Sequence, residues 1–78
     1  MRQKELTQII TFKTTTAAMA MEDHCKEKKL PGRIIPLPQE ISAGCGLCYK
    51  TDRLDEEFWK KELEMAHITY EEMRQIYV

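Results

Sequence analysis

Three glycines, three prolines and three cysteines are all that the 78 residues contain of these types. Each scarcity excludes something. A phosphate cradle of the P-loop kind needs a longer glycine-rich run and a lysine, and the one glycine pair, around Gly44-Cys45-Gly46, has neither. An odd, small number of cysteines is no disulfide framework, so the thiols are expected to be free, as in a reducing cytoplasm. The net charge is −1, so no basic excess is available to neutralise a phosphate backbone, and Lys26-Glu27-Lys28-Lys29 is the only basic cluster, read as a solvated helix end, which argues against nucleic acid as a partner. The longest uncharged stretch, Ile41 to Tyr49, contains a serine and two glycines and is far short of the roughly 20 apolar residues of a membrane span. Met1 to Phe12 is charged at once and only briefly apolar, which is not the pattern of a secretory signal. The chain is expected to be cytoplasmic and off the membrane.

What is present suits one small domain over residues 1–78, ordered from about residue 6. Hydrophobic residues make up 42% and charged residues 32%, a globular balance. So short a chain can hold one sheet with a pair of helices, but not two lobes around a deep cleft. A carrier or binding protein is expected rather than a self-contained enzyme.

Leu6 to Phe12 is rich in β-branched and aromatic residues and reads as a strand. Thr14 or Thr15 is a good N-cap for a helix over 16–29, whose apolar stripe is Ala17, Ala18, Met21 and Cys25. Acid precedes lysine along it, as the helix dipole prefers, and Pro31-Gly32 ends it. Arg33 to Leu37 reads as a strand that Pro36 and Pro38 confine to a sheet edge. After a loop over Gln39–Gly44, Cys45 to Lys50 reads as a third strand. Asp52 caps a second helix over 53–66 with Phe58, Trp59, Leu63 and Ala66 on its apolar stripe and Glu62 at the margin. Residues 68–78 fit a helix opened by Thr69 and Glu72 or a strand. The strand is preferred, because a β-α-β-β-α prefix wants a closing strand over its open edge. The whole is the ferredoxin-like βαββαβ arrangement, a four-stranded antiparallel sheet with two helices on one face. Chain direction alone then brings Thr14–Thr16, Ser42–Cys45 and His67 to one end of the sheet.

Cys45 is the leading candidate for chemistry. Small neighbours on both sides, Gly44 and Gly46, leave its sulfur accessible. A nearby helix N-terminus at Thr14, Thr15 and Thr16 would favour the thiolate, which is the reactive form. The plain alternative is a small apolar residue in a turn. Cys45 and Cys48 form a C-x-x-C pair, a spacing used by redox dithiols and zinc sites. On a strand, however, residues three apart point to opposite faces, so a disulfide between them would be strained. A structural zinc site needs four ligands, and beyond this pair only Cys25, His24 and His67 remain, with no second paired motif; no metal and no cofactor are expected. Cys25 lies on a core stripe, and His24 adjoins it at the boundary. His67 ends the second helix, where a structural role outweighs a base or ion-pair role beside Cys45.

Arg33-Ile34-Ile35-Pro36-Leu37-Pro38 followed by Ile41-Ser42-Ala43-Gly44-Cys45-Gly46 resembles the selenium/sulfur carrier protein-like family of small bacterial domains. Members pair an Ile-Pro-x-Pro strand with an Ile-Ser-x-x-Cys-Gly turn, and their first strand ends in Thr-Phe, as Thr11-Phe12 does. The resemblance runs over about residues 6–78. It implies a small α+β domain in which Cys45 bears sulfur or selenium, loaded from a donor protein and passed to an acceptor protein. Ser42 would donate a hydrogen bond to the bound atom. Gln39-Glu40 stands where the family often has a basic residue, and Cys48 stands where it usually has an apolar one, which leaves Cys48 outside a shared mechanism. A non-catalytic interaction module and a Cys45/Cys48 redox or metal site are the alternative functions. A homodimer is an open expectation, since small domains often associate to cover apolar surface; nothing in the sequence chooses the face.

Overall fold

Six elements follow one another in the computed structural model, which describes residues 5–39, 41 and 44–77. They are β1 (Leu6–Thr11), α1 (Thr15–Lys28), β2 (Arg33–Pro36), β3 (Leu47–Thr51), α2 (Glu56–Met65) and β4 (Glu72–Tyr77). The strands form one antiparallel sheet in the order β2-β3-β1-β4. This is the ferredoxin-like α+β fold. The strand preferred for 68–78 does close the sheet, but it forms only over Glu72–Tyr77 and residues 68–71 lie outside it, while proline-marked β2 lies at an edge.

The two-residue period of β1 divides the interior. Ile10 and Phe12 face the helices and pack with Ala18, Met21 and Cys25 of α1, with Trp59 and Leu63 of α2, and with Tyr49 of β3. Ile9 points the other way and meets Cys48 and Ile41, flanked by half-buried Ile35, Leu37 and Ile76. Gln8 is wholly buried yet fully engaged. Its carboxamide nitrogen donates to the Glu56 carboxylate and the Arg74 carbonyl, and its oxygen accepts from Gln75. One polar side chain thus ties β1 to β4 and α2, because a buried amide left unpaired would be costly.

Local chemistry sets the helix ends, with several departures from the sequence reading. Thr14 is the N-cap of α1, and its hydroxyl accepts from the Ala17 amide at 3.1 Å. The first turn holds no acid, whereas Lys26 and Lys28 do occupy the last turn. Pro31-Gly32 does not end α1. Lys29 does, in the left-handed conformation at φ 56°, with the Leu30 amide donating to the Cys25 carbonyl. Gly32 serves a tertiary purpose instead. At φ 126° it lies against the ring of Tyr49, whose hydroxyl donates to the Pro31 carbonyl at 2.8 Å.

The second helix begins later than expected. Asp55, not Asp52, is its cap and accepts from the Phe58 amide, and the helix spans Glu56–Met65 rather than 53–66. The backbone before it is engaged elsewhere. The Trp59 indole donates to the Arg53 carbonyl, the Arg53 amide donates to Thr51, and Gln75 donates to the Leu54 carbonyl. A backbone held by these three bonds is not free to enter the helical ladder. Strand β3 likewise starts at Leu47 and not at Cys45, since Gly46 has φ 74° and interrupts extended geometry. Among the described residues no helix is long and apolar enough to cross a membrane.

Candidate functional site

Cys45 stands in the turn that leads into β3. The Leu37 amide donates to the Gly46 carbonyl at 3.1 Å and closes the turn against the end of β2. The Cys45 thiol is half-buried, packs against the helix-side core and donates to the Leu47 carbonyl at 3.4 Å. Its glycine neighbours do different work. A Cβ on Gly44 would stand 3.1 Å from the Lys13 carbonyl, so the turn lies directly on the link between β1 and α1. A Cβ on Gly46 would meet no described atom within 4 Å, which leaves that flank of the turn open.

The expected gathering at one end of the sheet is present in part. Lys13, Thr14, Thr16, Ala17 and Ala20 form one wall of a cleft of about 410 Å³, with His67, Ile68 and Thr69 opposite. His67 is in the left-handed conformation there, φ 56°, with its amide donating a hydrogen bond to the Glu64 carbonyl and the following Ile68 amide donating to the Leu63 carbonyl. Cys45 does not line the cleft; its turn touches it through the Gly44–Lys13 contact. Thr15 opens α1 but is not part of the cleft wall. Ser42 lies outside the described residues. Sequence reasoning places neither Lys13 nor Thr69 at the site, although it does place Thr14 and His67 there; chain direction brings all four together.

The three thiols differ sharply in setting. Cys25 and Cys48 are buried, whereas Cys45 is not. Burial pushes the Cys25 thiol up from its ordinary value and pushes Cys48 up to about 11. A thiol that stays protonated is a poor nucleophile. The C-x-x-C pair is also split between faces, since Cys45 packs against the helix-side core and Cys48 against Ile9 and Ile41 behind the sheet. That separation disfavours a working dithiol. Among the described residues no group of three His, Cys, Asp or Glu side chains could hold a metal ion.

A second polar cluster joins the helices. His24 and Glu62, each largely buried, meet at 2.8 Å, and Lys28 reaches the same carboxylate oxygen at 3.4 Å. The hydrogen bond from His24, aided by Lys28, holds Glu62 below the usual carboxylate range despite partial desolvation. The boundary position expected for His24 and the marginal one expected for Glu62 prove to be two halves of one contact.

A family model described as "Putative Se/S carrier protein-like" matches residues 7–75. The chain belongs to this family. No curated protein and no solved structure gives a match. Membership in the Se/S carrier protein-like family covers both helices and all four strands except the first residue of β1 and the last two of β4. It therefore applies to the whole arrangement around Cys45.

Proposed function

We propose that this domain carries sulfur or selenium on Cys45. The observation that carries the reading is the contrast among thiols within a member of the Se/S carrier protein-like family: Cys45 alone of the three is accessible, in a glycine-flanked turn open on one side. In the transfer, the Cys45 thiolate attacks the outer sulfur of a donor protein's persulfide. A bond forms between that sulfur and Sγ, the donor's S–S bond breaks, and the donor cysteine leaves as thiolate. Cys45 then holds a persulfide. An acceptor nucleophile attacks its outer atom, and the Cys45 thiolate is the leaving group. No external oxidant is consumed, because the oxidation level moves with the transferred atom. Selenium follows the same path as a thioselenide.

The sparse surroundings of Cys45 suit a carrier. Among the described residues its one hydrogen bond is to the Leu47 carbonyl, so no acidic or basic side chain is hydrogen-bonded to the sulfur. The chemistry belongs to the donor and acceptor, and the domain offers a stable, reachable sulfur. The helix N-terminus beyond Lys13 carries no acid in its first turn and so leaves a favourable field for an anion uncancelled. Ser42 supplies a hydrogen bond to the bound atom in this reading, and the protein works in the cytoplasm.

The test is incubation with a cysteine desulfurase and cysteine, followed by intact mass analysis. The wild type gains the mass of one sulfur, as do Cys25→Ser and Cys48→Ser, while Cys45→Ser gains none. Undiminished loading of Cys45→Ser overturns the reading.

A further inference from the structure

We propose that the outer edge of β4 pairs with the same edge of a second copy of this chain, antiparallel about a two-fold axis at Met73. The two edges of the sheet are unlike. Strand β2 has four residues and ends at Pro36, with Pro38 just beyond, so it is a blunted edge. Strand β4 has six residues and no proline. Its inner side is paired with β1 along its whole length, from Leu6↔Tyr77 to Thr11↔Glu72, and its outer side has no strand partner among the described residues. That outer side therefore presents a row of free amides and carbonyls. Apolar side chains accompany it: Tyr77 is 65% exposed, and Met73 and Ile76 are only half-buried.

The charges on β4 identify the occupant. Glu72 and Arg74 lie on one face of the strand, and the Arg74 guanidinium donates to the Glu72 carboxylate at 2.7 Å. In an antiparallel ladder directly opposed residues share a face, so a symmetric pairing must be centred on a residue. Centring on Arg74 sets it against its own copy, a like-charge opposition. Centring on Gln75 sets Arg74 against Ile76. Centring on Met73 sets Glu72 against Arg74 of the second copy, twice by symmetry, with Met73 against Met73 and Glu71 against Gln75. The strand is thus self-complementary in one register, which is what an isologous contact requires.

Such a dimer has the strand order β2-β3-β1-β4-β4-β1-β3-β2. It removes the long edge and leaves only the proline-blunted one at each end. Cys45, in the turn before β3, is separated from the junction by β1 and stays open, so the pairing stands independently of the sulfur reading.

Sedimentation equilibrium tests it with the wild type, E72R, R74E and an equimolar mixture of the two variants. Both substituted side chains are about half exposed (48% and 45%), so folding is retained, as Trp59 fluorescence verifies. The wild type is dimeric, each variant alone dissociates about tenfold more readily through like-charge opposition, and mixing restores the dimer as a heterodimer. A contact made only within one chain cannot give that recovery. A wild type that stays monomeric overturns the proposal, as do variants that dimerise like the wild type or a mixture that fails to recover. Amide exchange over residues 72–77 is the second measurement: protection that rises with protein concentration supports the pairing, and concentration-independent exchange overturns it.

Discussion

Replacing Gly32 with alanine loads the structure in two ways, and a second glycine separates them. At Gly32 the added Cβ lies 2.5 Å from Cε2 of Tyr49 and 2.6 Å from its Cζ and hydroxyl, roughly 1 Å inside ordinary contact. The ring cannot readily retreat. It is 1% exposed, hydrogen-bonded to Pro31, and edge-on to Trp59 at 5.5 Å. Overpacking of this kind costs about 1–3 kcal/mol, and a φ of 126° adds about 1–3 kcal/mol for a residue with a side chain. The sum is about 2–6 kcal/mol, from a total stability of about 4–12 kcal/mol for a chain of this length. Gly46 also has positive φ, 74°, but no described atom lies within 4 Å of its Cβ position. Gly46→Ala therefore bears backbone strain alone, about 1–2 kcal/mol, reduced by the stiffer unfolded chain. Urea denaturation followed by the fluorescence of the single tryptophan, Trp59, reads both. Gly32→Ala is expected to lose about 1–3 kcal/mol more than Gly46→Ala, the overpacking share, and its penalty is expected to shrink in a Tyr49→Leu background. Equal losses at the two glycines, or an unchanged penalty without the ring, would refute the steric argument.

Alkylation by iodoacetamide at pH 8 should modify Cys45 alone, with peptide mass mapping as the readout. With its thiol near 11, Cys48 is ionised in only about one molecule in a thousand at that pH, and urea should abolish the difference. Glu62→Gln should cost about 1–3 kcal/mol at neutral pH. Glu62 is depressed in the folded state, so its contribution is present above the ordinary carboxylate range and is lost as pH falls through the folded value. The gap between wild type and variant in urea midpoint should narrow from pH 6 to pH 3; a constant gap would contradict the pairing with His24. Lys29→Gly should raise stability by up to about 1 kcal/mol, since Lys29 occupies a left-handed cap at φ 56° that glycine enters without strain. Thermal melting detects this, and a lowered midpoint would count against that account of the helix end.

Much of this molecule follows from residues that are neighbours in the chain. The order of strands and helices, the Thr14 cap and the edge position of β2 each rest on a local rule: side-chain period, capping chemistry, a missing amide. Cys45 between two glycines was legible in the same way. Strand parity with Cys48 does not apply, because Cys45 stands in the turn before β3, and the turn sends the two sulfurs to opposite sides. Other features arise only when the sheet closes. Asp52 is as good a cap as Asp55 by local chemistry, yet the Trp59 indole and the Gln75 carboxamide hold residues 53–54 out of the helix. Gly32 reads as a helix stop, but the ring that requires a glycine there comes from Tyr49 on another strand. His24 and Glu62 lie 38 residues apart, and only the packing of α1 beside α2 makes them a pair. Local rules depend on backbone geometry within a few residues, so they can be read in advance. Contacts across the fold depend on where whole elements come to rest: burial then decides which thiols stay protonated, and the hydrogen bond from His24 keeps the Glu62 carboxylate charged.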